Sequence, residues 1–198
     1  MPENGFYIRK VEEDEFPELF REHITSDFPR TEYPPYGKFL ESLRLSRRGL
    51  YFCGEDGEKL AYAFIDSVAE SRYVMIFLYA VMAGGRGRGT GTRFMQALFE
   101  EYGSMDGIIL EVEKPEEASS EAERSIRERR ISFYQRLGYQ MVREIDYCIY
   151  GVPMYIMVKP LLQELVQPDE LVDEIYRLYR GSMGKNTEKF VSAKVKRF

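Results

Sequence analysis

The stretch Arg86-Gly87-Arg88-Gly89-Thr90-Gly91 alternates glycines with two arginines in one short segment. Glycine removes the side chain where a ligand could meet backbone amides, and the first turn of a following helix adds unpaired N–H donors. Guanidinium groups supply fixed positive charge beside them. That combination suits a phosphorylated molecule. The flanking elements have to hold the turn open. From Tyr73 the chain is apolar and aromatic-rich as far as Met82, which reads as a buried strand. From Gly91 onward Phe94, Leu98 and Phe99 recur at helical spacing. A strand, an anion-binding loop and an amphipathic helix result. A solvated glycine turn is the plainer alternative.

The loop is not a Walker loop, because it lacks the lysine followed by Ser or Thr. Gly85, Gly87, Gly89 and Gly91 can be forced into GxGxxG-like registers. A dinucleotide-binding unit belongs early in a βαβαβ domain, however, and two strand candidates already precede this loop. A nucleotide-binding α/β protein would need parallel strands on both sides of it.

The segment does resemble the arginine-x-x-glycine-x-glycine loop of the GCN5-related N-acetyltransferases, directly after the fourth-strand-like Leu78-Tyr79-Ala80-Val81. One strand and one helix later, Phe133-Tyr134-Gln135-Arg136-Leu137-Gly138-Tyr139 resembles that family's FYxxxGF segment, with Tyr139 where phenylalanine is common. The acidic strand Leu110-Glu111-Val112-Glu113 is similar to the family's fifth-strand region. The resemblance covers residues 6 to 159 and implies acetyl-coenzyme A as cosubstrate, with no metal. It implies that the backbone of Ala80, Val81 and Met82 meets the pantetheine arm. It also implies that the amides of Arg86, Gly87, Arg88, Gly89, Thr90 and Gly91 wrap the pyrophosphate, with Thr92 at the helix start. Many relatives carry an asparagine where this chain has Arg127. Either Arg127 or Arg130 reaches a phosphate instead, or both belong to a solvated helix face.

Acetyl transfer to an amine needs relief of the amine's proton and an acid for the departing thiolate. The resemblance places Tyr134 at the acid position, and a phenol with an ordinary pKa near 10 is protonated at neutral pH. For the base, Glu111 and Glu113 share one face of their strand because side chains alternate with a period of two. Asp146 and Tyr147 on a later strand are rivals, and a strand end paired with Arg or Lys is the plainer role for the glutamates. The single histidine, His23, reads as an ordinary residue of the first helix. Cys53 and Cys148 lie in apolar segments away from the expected thioester, which favours direct attack in a ternary complex. Acceptor contacts are expected from Phe28 to Gly37 and from the turn between Tyr147 and Pro153, where tyrosines could cage an amine. A small-molecule amine and a peptide N-terminus both fit.

The chain has 198 residues, 44% hydrophobic and 31% charged, with a formal net charge of −5. Length and composition suit one soluble globular domain. The net charge argues against nonspecific nucleic-acid binding. No run is long and apolar enough to suggest a membrane span, and the first residues turn acidic where a secretory signal turns apolar. With two cysteines and no disulfide framework, a cytoplasmic protein is expected.

The pattern reads β-α-α-β-β-β-α-β-α-β-β, an α/β (α+β) chain with a mixed, mostly antiparallel sheet of about seven strands flanked by helices. Residues 1–160 are expected to form the acetyltransferase domain. Residues 161–198 are expected as a helical extension, packed on that domain or at a dimer interface, with stripes Leu161, Leu162, Leu165, Val166 and Leu171, Ile175, Leu178, Tyr179. Phe190, Val191, Val195 and Phe198 leave room for an added edge strand, and open sheet edges would admit a homodimer. The functional alternative to an enzyme is a catalytically silent acyl-coenzyme A sensor.

Overall fold

Runs such as Leu60-Ala61-Tyr62-Ala63-Phe64-Ile65 and Tyr73-Val74-Met75-Ile76 are continuously buried and rich in β-branched and aromatic side chains, so they form central strands. The structure, a computed structural model, describes residues 5–162 and 167–196. Its strands are β1 (Tyr7–Lys10), β2 (Arg47–Cys53), β3 (Lys59–Asp66), β4 (Tyr73–Val81), β5 (Gly107–Glu113), β6 (Gln140–Ile149), β7 (Val152–Pro160) and β8 (Val191–Val195). Among the described residues they make one eight-stranded sheet in the order β1-β2-β3-β4-β5-β7-β6-β8. The β1–β2, β2–β3, β5–β7, β6–β7 and β6–β8 pairs are antiparallel, and β4–β5 is parallel. A mixed, mostly antiparallel sheet flanked by helices is therefore what forms. The eighth strand comes from the tail, through Val191 and Val195.

Two compact units divide the chain. The first holds Met1–Asp66 and Phe77–Glu101. Its opening helix, α1, spans residues 16–27 and contains a π-helical segment, Leu19–Ile24. Helix α2 is Tyr36–Leu45 and α3 is Thr90–Glu101. Phe16 is fully buried and meets Phe20, Phe39 and Phe64 edge-on at centroid distances of 5.8, 5.2 and 6.0 Å. Those geometries suit the ring quadrupoles. Phe39, Leu40 and Leu43 carry helical spacing, but α2 ends at Leu45 and Arg47 opens β2. Its guanidinium is buried, gives two 2.7 Å bonds to Asp66 and lies 3.4 Å from the Phe77 ring centroid. The tertiary pairing outweighs the local helical pattern there.

The second unit holds Ser67–Ile76 and Tyr102–Phe198. The β4–β5 register runs from Tyr73↔Gly107 to Ile76↔Leu110. Helix α4, Glu121–Arg136, starts at Ser120, whose hydroxyl accepts from the Glu123 amide at 3.2 Å. It ends in a Schellman motif: Gly138, at φ +86°, donates to Gln135 O, and Tyr139 donates to Tyr134 O. Helix α5, Pro168–Met183, buries Leu171, Ile175, Leu178 and Tyr179 in a core with Tyr147, Ile149 and Val191. A short helix α6, Thr187–Phe190, leads into β8. Leu161 and Leu162 lie outside any helix. Leu165, Val166 and Phe198 lie outside the described residues.

Candidate active site

Within the first unit, β4 stops at Val81 and a 3-10 turn, Ala83–Gly85, follows. Gly85 is buried against Leu60, where a Cβ would come within 2.6 Å of the Leu60 carbonyl, so a side chain would push the loop off β3. Gly87 and Gly89 have φ of +76° and +72°, which other L-residues adopt only at a cost. Residues 86–89 are exposed, and a Cβ built on Gly87 or Gly89 meets nothing within 4 Å. The amides of Gly87, Arg88 and Gly89 have no hydrogen-bond partner among the described residues. Thr90, buried, begins α3, whose first turn points its own N–H groups the same way. Tyr79 donates its hydroxyl to Gly91 O at 2.5 Å and fixes the helix start to β4. The result is an exposed turn of main-chain donors at a helix N-terminus, an arrangement that suits an anion.

The loop's two arginines have different tasks. Arg86 turns back: its Nε donates to Val81 O at 3.2 Å and its Nη2 pairs with Asp27 at 3.2 Å. Its amide donates to Ala83 O. Asp27 also accepts from Tyr62 Oη at 3.0 Å, and burial followed by the Asp27 charge raises that phenol's pKa. Arg86 thus latches the loop to the end of α1. Arg88 is exposed and makes no ion pair among the described residues, so its charge is free for a ligand. Met82 spends its N–H on Leu60 O and accepts from Gly85. Thr92 is half-buried in the first turn of α3. A cavity of about 330 Å³ lies beside Met82, lined also by Glu18, His23, Tyr51 and Lys59. No local motif announces Asp27, Tyr62 or this cavity.

In the second unit, Tyr134 is buried at the third-last position of the α4 cap. Its ring lies 5.5 Å from that of Tyr139 and 5.2 Å from that of Phe133. The FYxxxGY spacing is thereby a helix-ending device as well as a signature: glycine takes the left-handed position and the two tyrosines close the hydrophobic contact around it. Arg127 is buried and donates to Lys114 O at 2.7 Å, to Glu113 at 3.1 Å and to Glu123 at 2.5 Å. Arg130 takes the other Glu113 oxygen at 2.9 Å. Both Glu113 oxygens are held by guanidinium groups, which makes Glu113 a strut joining β5 to α4. Arg127 is committed to that joint rather than to a solvated face.

Glu111 differs. Its Oε1 accepts from the hydroxyls of Tyr147 on β6 and Tyr179 on α5. Burial, then the Glu111 charge, holds the Tyr147 phenol well above its ordinary pKa. Asp146 is exposed on the opposite face of β6. Cys53 is buried and burial raises its thiol's pKa, while Cys148 is half-buried. Among the described residues, no group of three or more His, Cys, Asp or Glu side chains could hold a metal, and no helix is long and apolar enough to cross a membrane.

A strand, a glycine turn and an α-helix are set in a mixed sheet with a parallel β4–β5 pair, which defines the class as an α/β protein. The chain belongs to the acetyltransferase (GNAT) family, whose family model matches residues 8–139. No curated protein matches the sequence. Among solved structures, a putative GNAT acetyltransferase from Bacteroides thetaiotaomicron aligns with TM-score 0.70 and 20% identity, over 90% of this chain and 98% of its own. The ribosomal-protein-S18-alanine N-acetyltransferase of Escherichia coli aligns with TM-score 0.57 and 20% identity, over 82% and 99%. The Vibrio cholerae spermidine N-acetyltransferase solved with CoA and spermine gives TM-score 0.58 and 8% identity, over 79% and 96%. At these identities the alignments speak for the fold.

Proposed function

We propose that the protein is an N-acetyltransferase that moves an acetyl group from acetyl-coenzyme A to a primary amine by direct attack in a ternary complex. The observation that carries this reading is the exposed turn with three unspent amides, Gly87, Arg88 and Gly89, at the N-terminus of α3. A diphosphate is the ligand such a turn fits: two linked anionic groups, several main-chain donors, and the Arg88 guanidinium for the remaining charge. Glycines at positive φ with open space around them let the phosphates reach the backbone. Arg86 holds the loop in place instead of contacting phosphate.

Bound acetyl-coenzyme A supplies the activated acyl group. Tyr134 protonates the departing thiolate, a task for which a phenol is acidic enough and remains protonated at neutral pH. Glu111, oriented by two phenols, takes the amine's proton directly or through water, or holds its ammonium form. Glu113, saturated by Arg127 and Arg130, serves the frame. The acceptor is a small amine or a peptide N-terminus. Two relatives are named for an alanine N-terminus and for spermidine, and these bracket the first amines to try.

The test is acetyl-coenzyme A turnover over a panel of polyamines, amino acids and short peptides, followed by free-thiol release. Amine-dependent thiol release supports the enzyme. Tight coenzyme A binding with no turnover on any amine would favour the acyl-coenzyme A sensor.

A further inference from the structure

The family match ends at residue 139, yet the polypeptide beyond it reaches one of the carboxylates assigned above. Tyr179, on α5, donates its hydroxyl to Glu111 Oε1, and Tyr147, on β6, donates to the same oxygen. Both tyrosines are almost fully buried, at 1% exposure. Their rings pack in the core that α5 forms with Val142, Ile145, Ile156 and Val191, so neither hydroxyl can swing to water. Helix α5 is itself held by β8: Tyr176 Oη accepts from the Ala193 amide at 3.1 Å and donates to Val191 O at 3.4 Å.

The contrast with Glu113 is informative. That carboxylate, two residues along the same face, is neutralised by Arg127 and Arg130. Glu111 receives two phenol hydroxyls on one oxygen, from β6 and α5, which orient its carboxylate. Glu111 itself is half-buried at the end of β5, so its carboxylate is held by these hydroxyls without being sealed from a ligand.

We propose that Tyr179, supplied by the C-terminal helix, acts with Tyr147 as a positioning residue that fixes the Glu111 carboxylate for the acceptor amine. This inference rests on the transferase reading. On it, the polypeptide beyond residue 160 is part of the working site. The high pKa of the Tyr147 phenol keeps that donor protonated across the working range. Tyr147 of β6 and Tyr179 of α5 reach Glu111 directly, and Glu113 of β5, bound by Arg127 and Arg130 of α4, lies two residues along the strand.

The experiment compares the full-length protein with Tyr179→Phe and Tyr147→Phe, which keep the rings and remove one donor each. Coenzyme A affinity should be unchanged. Donors stabilise the carboxylate anion, so losing one moves the acid limb of the kcat/KM profile up by roughly one to two pH units. The effect should fall on kcat rather than KM. An unmoved profile with undiminished kcat in both variants would overturn the inference while leaving the transferase reading intact. If the wild-type protein turns over no amine, that reading fails by itself, and the titration of Glu111 followed by carboxyl ¹³C NMR decides the contact. A higher Glu111 pKa in either variant supports it, and an unchanged one refutes it. Should Tyr179→Phe fail to fold, Tyr147→Phe carries both measurements.

Discussion

Replacing Gly89 by alanine separates what the glycine turn does for the fold from what it does for a ligand. Gly89 has φ of +72° and a Cβ there meets nothing within 4 Å, so the cost is backbone strain alone. That strain is about 1–2 kcal/mol, reduced by the smaller entropy alanine loses on folding, and the net destabilisation is about 1 kcal/mol. For a chain of this size it lowers Tm by about 2–4 °C. Gly151 is a matched control, with φ of +80° and open space around it, far along the chain in the β6–β7 turn. Gly151→Ala should show the same small loss. The two variants should part when coenzyme A is added. At a hundredfold excess over Kd a ligand stabilises by about 2.7 kcal/mol, and Gly151→Ala should keep that gain. Gly89→Ala should lose most of it, because the methyl group stands among the amides of residues 87–89. Thermal melts with and without coenzyme A read both effects. An equal coenzyme A shift in the two variants, or a fall of more than about 8 °C for Gly89→Ala without ligand, would refute the reasoning.

Tyr134→Phe should lower kcat by about 10²–10⁴-fold while leaving coenzyme A affinity unchanged, since the rings that close the α4 cap are kept. Steady-state thiol release with calorimetric binding checks it. Glu15 accepts two bonds from Arg9 at 2.7 and 2.8 Å, another from the Glu12 amide, and pairs with Lys59 at 2.9 Å. These bonds, Arg9 first, hold its carboxyl below the ordinary carboxylate range against the opposing effect of burial. A depressed folded-state pKa gives stability that is complete above the unfolded value and lost as pH falls toward the folded one. Glu15→Gln should therefore cost about 1 kcal/mol at pH 7 in denaturant melts, discounted for partial exposure, and the difference from wild type should shrink steadily below about pH 4.

The features legible in the sequence are those that depend on near neighbours. The glycine turn, the strand before it and the helix after it occupy one continuous stretch, so their spacing carries the geometry. Tyr134, Gly138 and Tyr139 likewise form a local cap, and an i, i+4, i+5 pattern encodes it. Pairings between distant segments are not written in any spacing. Arg47 pairs with Asp66 on another strand, 19 residues along the chain. Arg86 looked like a phosphate ligand because Asp27, which claims it, sits 59 residues earlier. Glu111 and Glu113 look equivalent as alternate residues of one strand. What separates them is α4 on one side and, for Glu111, a tyrosine 68 residues away on α5.

The central claim is that the main chain of residues 87–89 is the phosphate-binding surface. The most direct measurement is an amide ¹H–¹⁵N NMR titration of the protein with coenzyme A. The account expects the Gly87, Arg88 and Gly89 resonances to move furthest and to saturate together at the ligand's Kd. Saturable binding that leaves those three resonances in place, or no binding at millimolar coenzyme A, would contradict it.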